Sequence, residues 1–326
     1  MPYLRIHFTE VDLGRTRLAS RIDHMWEIVN AVQLLQHREG GLYFDGWRRR
    51  VRQEAFAEPR LQRLLHTLLP IAPHAEYFPD FLTPAGEFDD LDDALDAVVS
   101  VPKPRLRAEM ALLGGESAPL RAIAGGGAPA LRGLRAALGG FYRVAVQPRL
   151  AVVEAARHAD LARRLHTLGH DGVEAVLTGI APGAVWEPPV LRLPYVVDSD
   201  LLLAGRGLRL VPCYFSLQRP VTLADPALPP TLTFPLDPTT RLLAPEHRPG
   251  DHLGALVGTT RAAILRLAMD GCSSRELIRR TGVAPATVTH HTTILRDAGM
   301  IATHRDGTVA SHHITPLGLQ LLHRSG

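Results

Sequence analysis

The stretch Ser273–Gly299, SSRELIRRTGVAPATVTHHTTILRDAG, decides how the whole chain is read. Ser273 and Ser274 are suited to accept the first free N–H groups of a helix, and Gly282 supplies the left-handed residue that commonly ends one. The residues between them allow about two helical turns. A second helix can restart at Pro285, because proline in a first helical turn forfeits no hydrogen bond. It continues through Ala286–Ala298 and stops at Gly299. Upstream, Thr259–Met269 places Ala262, Ile264, Leu265 and Ala268 near one stripe, the spacing of a helix with one buried face. Downstream, Met300–Arg305 and Thr308–Thr315 flank Asp306-Gly307, a hairpin-turn signal. Pro316–Leu322 then supplies a short closing helix.

Two short helices joined by a glycine-containing turn have helix-turn-helix geometry, in which the second helix enters the major groove of double-stranded DNA. Val288, Ile294 and Leu295 are expected to anchor that helix to its own domain. Ala286, Thr287, Thr289, His290 and Thr293 are then left toward the groove. Threonine hydroxyls bond phosphates or base edges, threonine methyls meet the thymine methyl, and His290 can donate to a guanine or phosphate acceptor. His291 reads as a packed or capping residue. Ser274 and Arg275, at the start of the preceding helix, are placed to take a phosphate with the help of the helix dipole. Arg305, beside the hairpin turn, is the candidate for a wing contact to phosphate or minor groove. Arg279 and Arg280 read as solvated charges. One such domain buries little surface, so a homodimer reading two half-sites is expected.

The order helix, helix, turn, helix, hairpin, helix within residues 253–326 resembles the winged helix-turn-helix of bacterial transcription regulators, in detail the ArsR type. The resemblance rests on Glu276-Leu277, Gly282-Val283, Thr287–His291, Ile294–Ile301 and the Gly307 wing. It implies a DNA-binding regulator, most simply a repressor, associated with the nucleoid. Metal-sensing members carry a Cys-x-Cys pair where this chain has Ser273, Ser274 and Arg275. Cys272 stands alone beside them, and the closing helix offers only His323. Neither metal sensing nor a cofactor is therefore expected. Thr292 and Thr293 replace the usual Leu and Lys, which weakens the helix's buried face, removes a phosphate contact and makes affinity depend more on dimerisation. Residues 1–240 are similar to a poorly characterised domain joined to such regulators in GC-rich bacteria, on Pro79–Pro84 and Gly207–Phe215. That similarity names no substrate.

Charge agrees with this division of labour. From Asp251 to Gly326 eight arginines face five acids, whereas the first 250 residues carry 28 bases and 28 acids. Seven of the sixteen histidines also lie in the last quarter, so its positive potential rises on acidification. Lys103 is the single lysine among 36 basic residues, which reads as codon bias. With 46% hydrophobic and 21% charged residues the chain is globular, and no segment approaches the ~18 apolar residues of a membrane span. Arg5, Glu10 and Asp12 interrupt any signal-peptide core, so a cytoplasmic location is expected. Two cysteines, Cys213 and Cys272, suit a reducing compartment, and both thiols are expected free.

At 326 residues the chain should hold two domains: an α+β effector or oligomerisation domain over 1–236, a linker over 237–252, and the DNA-binding domain over 253–326. The first reads as mostly helical with a small β-sheet. Leu4–Phe8 alternates like a strand. Met25, Ile28, Val29, Val32 and Leu35 share a helical stripe after Asp23 as cap, as do Leu61, Leu64, Leu65 and Leu68 before Pro70. Phe88–Val98 sets apolar residues on one helical face and Asp89, Asp90, Asp92, Asp93 and Asp96 on the other. Gly125-Gly126-Gly127 reads as a flexible connector and Pro148 as the start of a new helix. Between Pro182 and Gly250 lie 13 of the 26 prolines and several short apolar runs, with Gly205-Arg206-Gly207 read as a hairpin turn between two of them.

Three roles compete for this domain: binding a small-molecule or protein effector, catalysis, or serving purely as a platform with the C-terminal helices contacting protein. No serine elbow, metal helix, phosphate loop or nicotinamide fingerprint supports catalysis. Trp186, Tyr195, Arg206 and Tyr214 are the candidates for lining an effector pocket, together with Trp26 and Trp47, although core packing is the stronger reading for each.

Overall fold

Leu4 and Ile6 point inward and their neighbours outward along β1 (Tyr3–His7), the alternation that the sequence displays. A computed structural model describes residues 2–115, 117–217, 219–237, 240, 252–269, 271–306 and 309–325. The chain divides into two units, Met1–Ala244 and Pro245–Gly326. After β1 the first unit continues with α1 (Glu10–Arg15), β2 (Arg17–Leu18), α2 (His24–Leu34), α3 (Gly41–Ala57) and α4 (Pro59–Ile71). Next come α5 (Leu91–Val99), α6 (Lys103–Leu113), α7 (Ala118–Ala124), α8 (Ala128–Phe141) and α9 (Leu150–Thr178). The proline-rich region supplies β3 (Val185–Glu187), β4 (Val190–Pro194), β5 (Ser199–Leu202), β6 (Arg209–Cys213), β7 (Val221–Thr222) and β8 (Thr231–Pro235). Helix and sheet are thus mixed in an α+β arrangement.

Local signals set many of these boundaries. The Asp23 carboxylate accepts the Trp26 N–H and caps α2, and Asp90 does the same for Asp93 at α5. Asp92 and Asp96 bind Arg135 of α8 at 2.8 and 2.6 Å, so part of the acidic face is paired as well as solvated. Pro70 lies inside the last turn of α4, and Pro148 sits in a 3-10 turn just ahead of α9. Gly172 interrupts α9 with φ of +84°, a conformation that admits glycine far more readily than any other residue.

Two sheets form where the sequence suggested one. Their strand orders are β3-β4-β1-β5 and β2-β6-β8-β7. β1 runs antiparallel to β4 and parallel to β5, while β6 runs parallel to both β2 and β8. The hairpin expected at Gly205-Arg206-Gly207 is therefore absent, since β5 and β6 belong to different sheets. The glycines serve a close approach instead. Gly207 has φ of +76°, and a Cβ there would lie 2.5 Å from the Arg15 carbonyl oxygen. The fully buried Asp12 carboxylate fixes this crossing by accepting from Gly207 N at 2.7 Å, Gly205 N at 3.1 Å and Thr9 N at 2.7 Å.

The first unit has two apolar clusters. One gathers Trp26, Phe44, Trp47, Phe81, Phe141 and Phe215, and the other Leu4, Ile6, Leu191, Leu193, Leu232 and Phe234. Buried carboxylates fasten chain segments alongside them. Glu27 accepts from Tyr214 N and Phe215 N, Glu109 from Phe81 N, and Asp80 from Ala224 N and Asp225 N.

The second unit contains α10 (His252–Val257), α11 (Thr259–Leu267), β9 (Cys272–Ser273), α12 (Ser274–Thr281), α13 (Pro285–Asp297), β10 (Ile301–Asp306), β11 (Val309–Ile314) and α14 (Pro316–Ser325). Its core joins Leu253, Ile264, Leu265, Leu277, Val288 and Leu295. β10 and β11 pair antiparallel from Ile301↔Ile314 to Asp306↔Val309, and β11 also pairs with β9. The strand thus continues through Asp306, which had been read as a turn residue, while Gly307 and Thr308 lie outside the described residues. So does most of the linker read over 237–252. Cys213 and Cys272 are both buried, and neither enters a disulfide.

α14 crosses the rest of its unit very closely at Gly318, where an added Cβ would clash with the Met300 carbonyl oxygen. Gly318→Ala is expected to destabilise this unit by about 1–3 kcal/mol, because backbone rather than a flexible side chain must give way. Urea unfolding followed by circular dichroism of the full chain measures it, and an unchanged midpoint would refute the close packing.

Candidate functional site

The Ser273 hydroxyl accepts the Glu276 N–H at 3.2 Å and starts α12. Gly282, with φ of +69°, returns its N–H to Ile278 and ends it. Ala284 and Pro285 then open α13. Val288, Thr292 and Leu295 form its buried stripe, at 1%, 6% and 1% exposure. Thr292 therefore occupies the inward position, and Ile294, read as an anchor, is only half-buried. The polarity of Thr292 costs little, because its hydroxyl donates to the Thr289 carbonyl at 3.1 Å.

On the opposite side Ala286, Thr289 and His290 are exposed, with Thr287 and Thr293 half-buried beside them. All five residues read from the sequence lie outside the buried stripe. Thr289 donates to the Pro285 carbonyl at 3.0 Å, which leaves its oxygen lone pairs and its methyl outward. His291 is half-buried, and Arg261 Nε donates to its Nδ1 at 3.4 Å. Burial, then the Arg261 charge, pushes its pKa below the usual histidine value. Arg275 and Arg280 are exposed and form no ion pair among the described residues, whereas Arg279 binds Glu276 at 2.7 Å. The backbone of Arg305 lies in β10; its side chain is outside the described residues.

Ser274 is less open than the sequence suggested. It is half-buried, and its hydroxyl shares a 2.9 Å hydrogen bond with Nε2 of His312. His312, 3% exposed, shares a second one of 3.0 Å from Nδ1 to Thr303 Oγ1. This histidine links α12, β10 and β11, and burial pushes its pKa down. Sequence reading overlooked it. The signal was its inward place in the alternation of Val309–Ile314.

No family model, curated protein or solved structure matches the chain. Among the described residues no helix is long and apolar enough to cross a membrane, and no group of three or more His, Cys, Asp or Glu is arranged to hold a metal ion.

A second candidate site is a cavity of about 440 Å³ in the first unit. Of the six residues read as pocket-lining, it takes Tyr195 alone. Trp186 meets Phe8 edge to face at 5.2 Å. Arg206 donates to the carbonyls of Leu202, Leu203, Pro226 and Leu228 and so ties a loop together. Tyr214 is 2% exposed and packs edge to face on Phe44. Trp26 and Trp47 are core residues too. Aromatic burial outweighed ligand contact at these positions, because two cores had to be filled.

Proposed function

We propose that the protein is a DNA-binding transcriptional regulator of winged helix-turn-helix type, acting as a homodimeric repressor whose first unit receives an effector. The observation that carries this reading is the outward face of α13. Ala286, Thr289 and His290 are exposed on a helix whose other side is fixed by Val288, Thr292 and Leu295. Arg275 is exposed on the neighbouring helix, and the β10–β11 hairpin follows directly in the chain. A helix of 13 residues presenting small, hydroxyl-bearing side chains suits close approach to base edges, with thymine methyls met by threonine methyls. The exposed arginines supply the sequence-independent attraction to phosphate.

Recovery of genomic DNA fragments on the purified protein tests the reading. Retention of a discrete set that shares a two-fold sequence pattern is expected. Failure to retain any fragment at low salt overturns it and leaves the second unit as a module for protein contacts. Arg305→Ala should weaken binding on all sequences and lower the salt slope by about one counterion, whereas Thr289→Ala should change sequence preference. Mobility-shift titrations at several salt concentrations read both effects, and an unaltered slope removes Arg305 from the interface.

A further inference from the structure

We infer that the cavity of the first unit binds a flat organic amine in its protonated form. Its volume of about 440 Å³ falls within the range of small-molecule sites. The inference gives chemical content to the effector half of the regulator reading, but binding itself is measured without DNA.

The inner wall is formed by side chains that are almost wholly buried: Asn30 at 7% exposure, Phe78 at 8%, Asp80 at 3% and Phe215 at 1%. Tyr77 and Tyr195 add two further aromatic rings. Several polar groups here have unused capacity to accept. Asn30 donates its Nδ2 to the Trp26 carbonyl at 2.7 Å, and its Oδ1 accepts nothing among the described residues. Gln33 donates Nε2 to the Pro73 carbonyl at 3.1 Å and, among the described residues, likewise keeps its Oε1 unengaged. Each oxygen of Asp80 takes one backbone N–H, from Ala224 at 3.0 Å and Asp225 at 2.8 Å, which leaves lone pairs on both.

Charge points the same way. Glu39, Glu76, Asp80 and Asp200 line the cavity against the single guanidinium of Arg219. Asp200 is already held by Arg5 and His7. His37 adds no positive charge near neutral pH, because burial, followed by the facing His74 at 4.0 Å between ring centroids, lowers its pKa to about 4. An anion entering here would meet carboxylates. A neutral hydrocarbon would leave buried acceptors unmet, at a cost for each. A protonated amine instead donates hydrogen bonds to Asn30 and Gln33 while its charge faces the carboxylates, and aromatic rings favour a cation over their faces.

Isothermal titration calorimetry of the full chain with tryptamine and with indole-3-acetate separates these cases, since the two share a ring and carry opposite charge. Tryptamine is expected to bind at least ~10-fold more tightly. Asn30→Leu should weaken it by ~10-fold, the size of one lost hydrogen bond to a charged donor. The exposed pair Glu39→Gln and Glu76→Gln should weaken it by ~3-fold with an unchanged melting temperature, which guards against loss of fold. Equal or tighter binding of indole-3-acetate overturns the inference, as does the absence of heat with tryptamine at millimolar concentration. Tryptamine binding without any change in DNA retention would confirm the site and remove its effector role, so the two readings fail separately.

Discussion

Asp12→Ala is expected to lower the unfolding free energy of the first unit by about 3–5 kcal/mol, the largest effect of any single change considered for that unit. The carboxylate is fully buried and accepts from Thr9 N, Thr9 Oγ1, Gly205 N and Gly207 N at 2.7–3.1 Å. Alanine leaves three backbone donors without an acceptor at a place where Gly207 lies too close to Arg15 for the chain to rearrange cheaply. Burial alone would raise the pKa of Asp12, but the hydrogen bonds from Thr9, Gly207 and Gly205 outweigh it and hold the group below the usual carboxylate value. The sign of the pH dependence follows. A depressed folded-state pKa contributes stability that is complete above about pH 4 and is lost as pH falls through the lower folded value. The gap between wild type and Asp12→Ala in urea melts should therefore be widest near neutrality and narrow on acidification. A gap that widens toward acid would contradict the assignment.

Thr289→Asp should weaken DNA binding by about 30–100-fold at low salt and leave the second unit folded. The residue is exposed at the middle of the outward face of α13, and among the described residues its hydroxyl bonds only the Pro285 carbonyl of its own helix. On the proposed DNA-binding reading, a carboxylate there would face phosphates and base acceptors and be repelled by both. Leu295→Asp, at 1% exposure, is the contrasting control: it should unfold the unit by burying an unpaired charge. Fluorescence anisotropy of a retained fragment, read beside circular dichroism, distinguishes the two. Full affinity in Thr289→Asp would place the interface elsewhere.

What could be read from the sequence, and what could not, follows from the range of the interactions. Caps and stops act within a few residues, so Asp23, Ser273, Pro285 and Gly282 are legible as boundaries in the sequence, whereas Asp90, read as part of a helical face, caps α5 instead. The outward face of α13 followed from helical spacing and the inward place of Thr292 from its standing where leucine is usual, whereas the bond that satisfies its hydroxyl on the backbone one turn back left no mark in the sequence. The sheets were misjudged for the opposite reason. β1 with β5, β2 with β6, and β6 with β8 are parallel pairs joined by long connections, which leave no turn signature. Gly205-Arg206-Gly207 looked like a hairpin since the same residue type serves tight turns and tight crossings. The cavity was hidden because Asn30, Asp80, Tyr195 and Arg219 come from four separated segments, and the more conspicuous tryptophans went to the cores.

The knot of contacts around Asp12 also bears on how freely this chain can drift. Apolar positions such as Leu4, Ile6, Leu191 and Leu193 tolerate exchange among aliphatic residues so long as volume is kept. An acid that must reach three backbone amides, opposite a glycine with no room for a methyl group, has no such synonyms. A saturation library selected for folded protein should come back with broad variety at the first kind of position and a near-blank column at 12 and 207. Remote kin of this chain would be traced by that sparse pair long after their overall likeness had worn away.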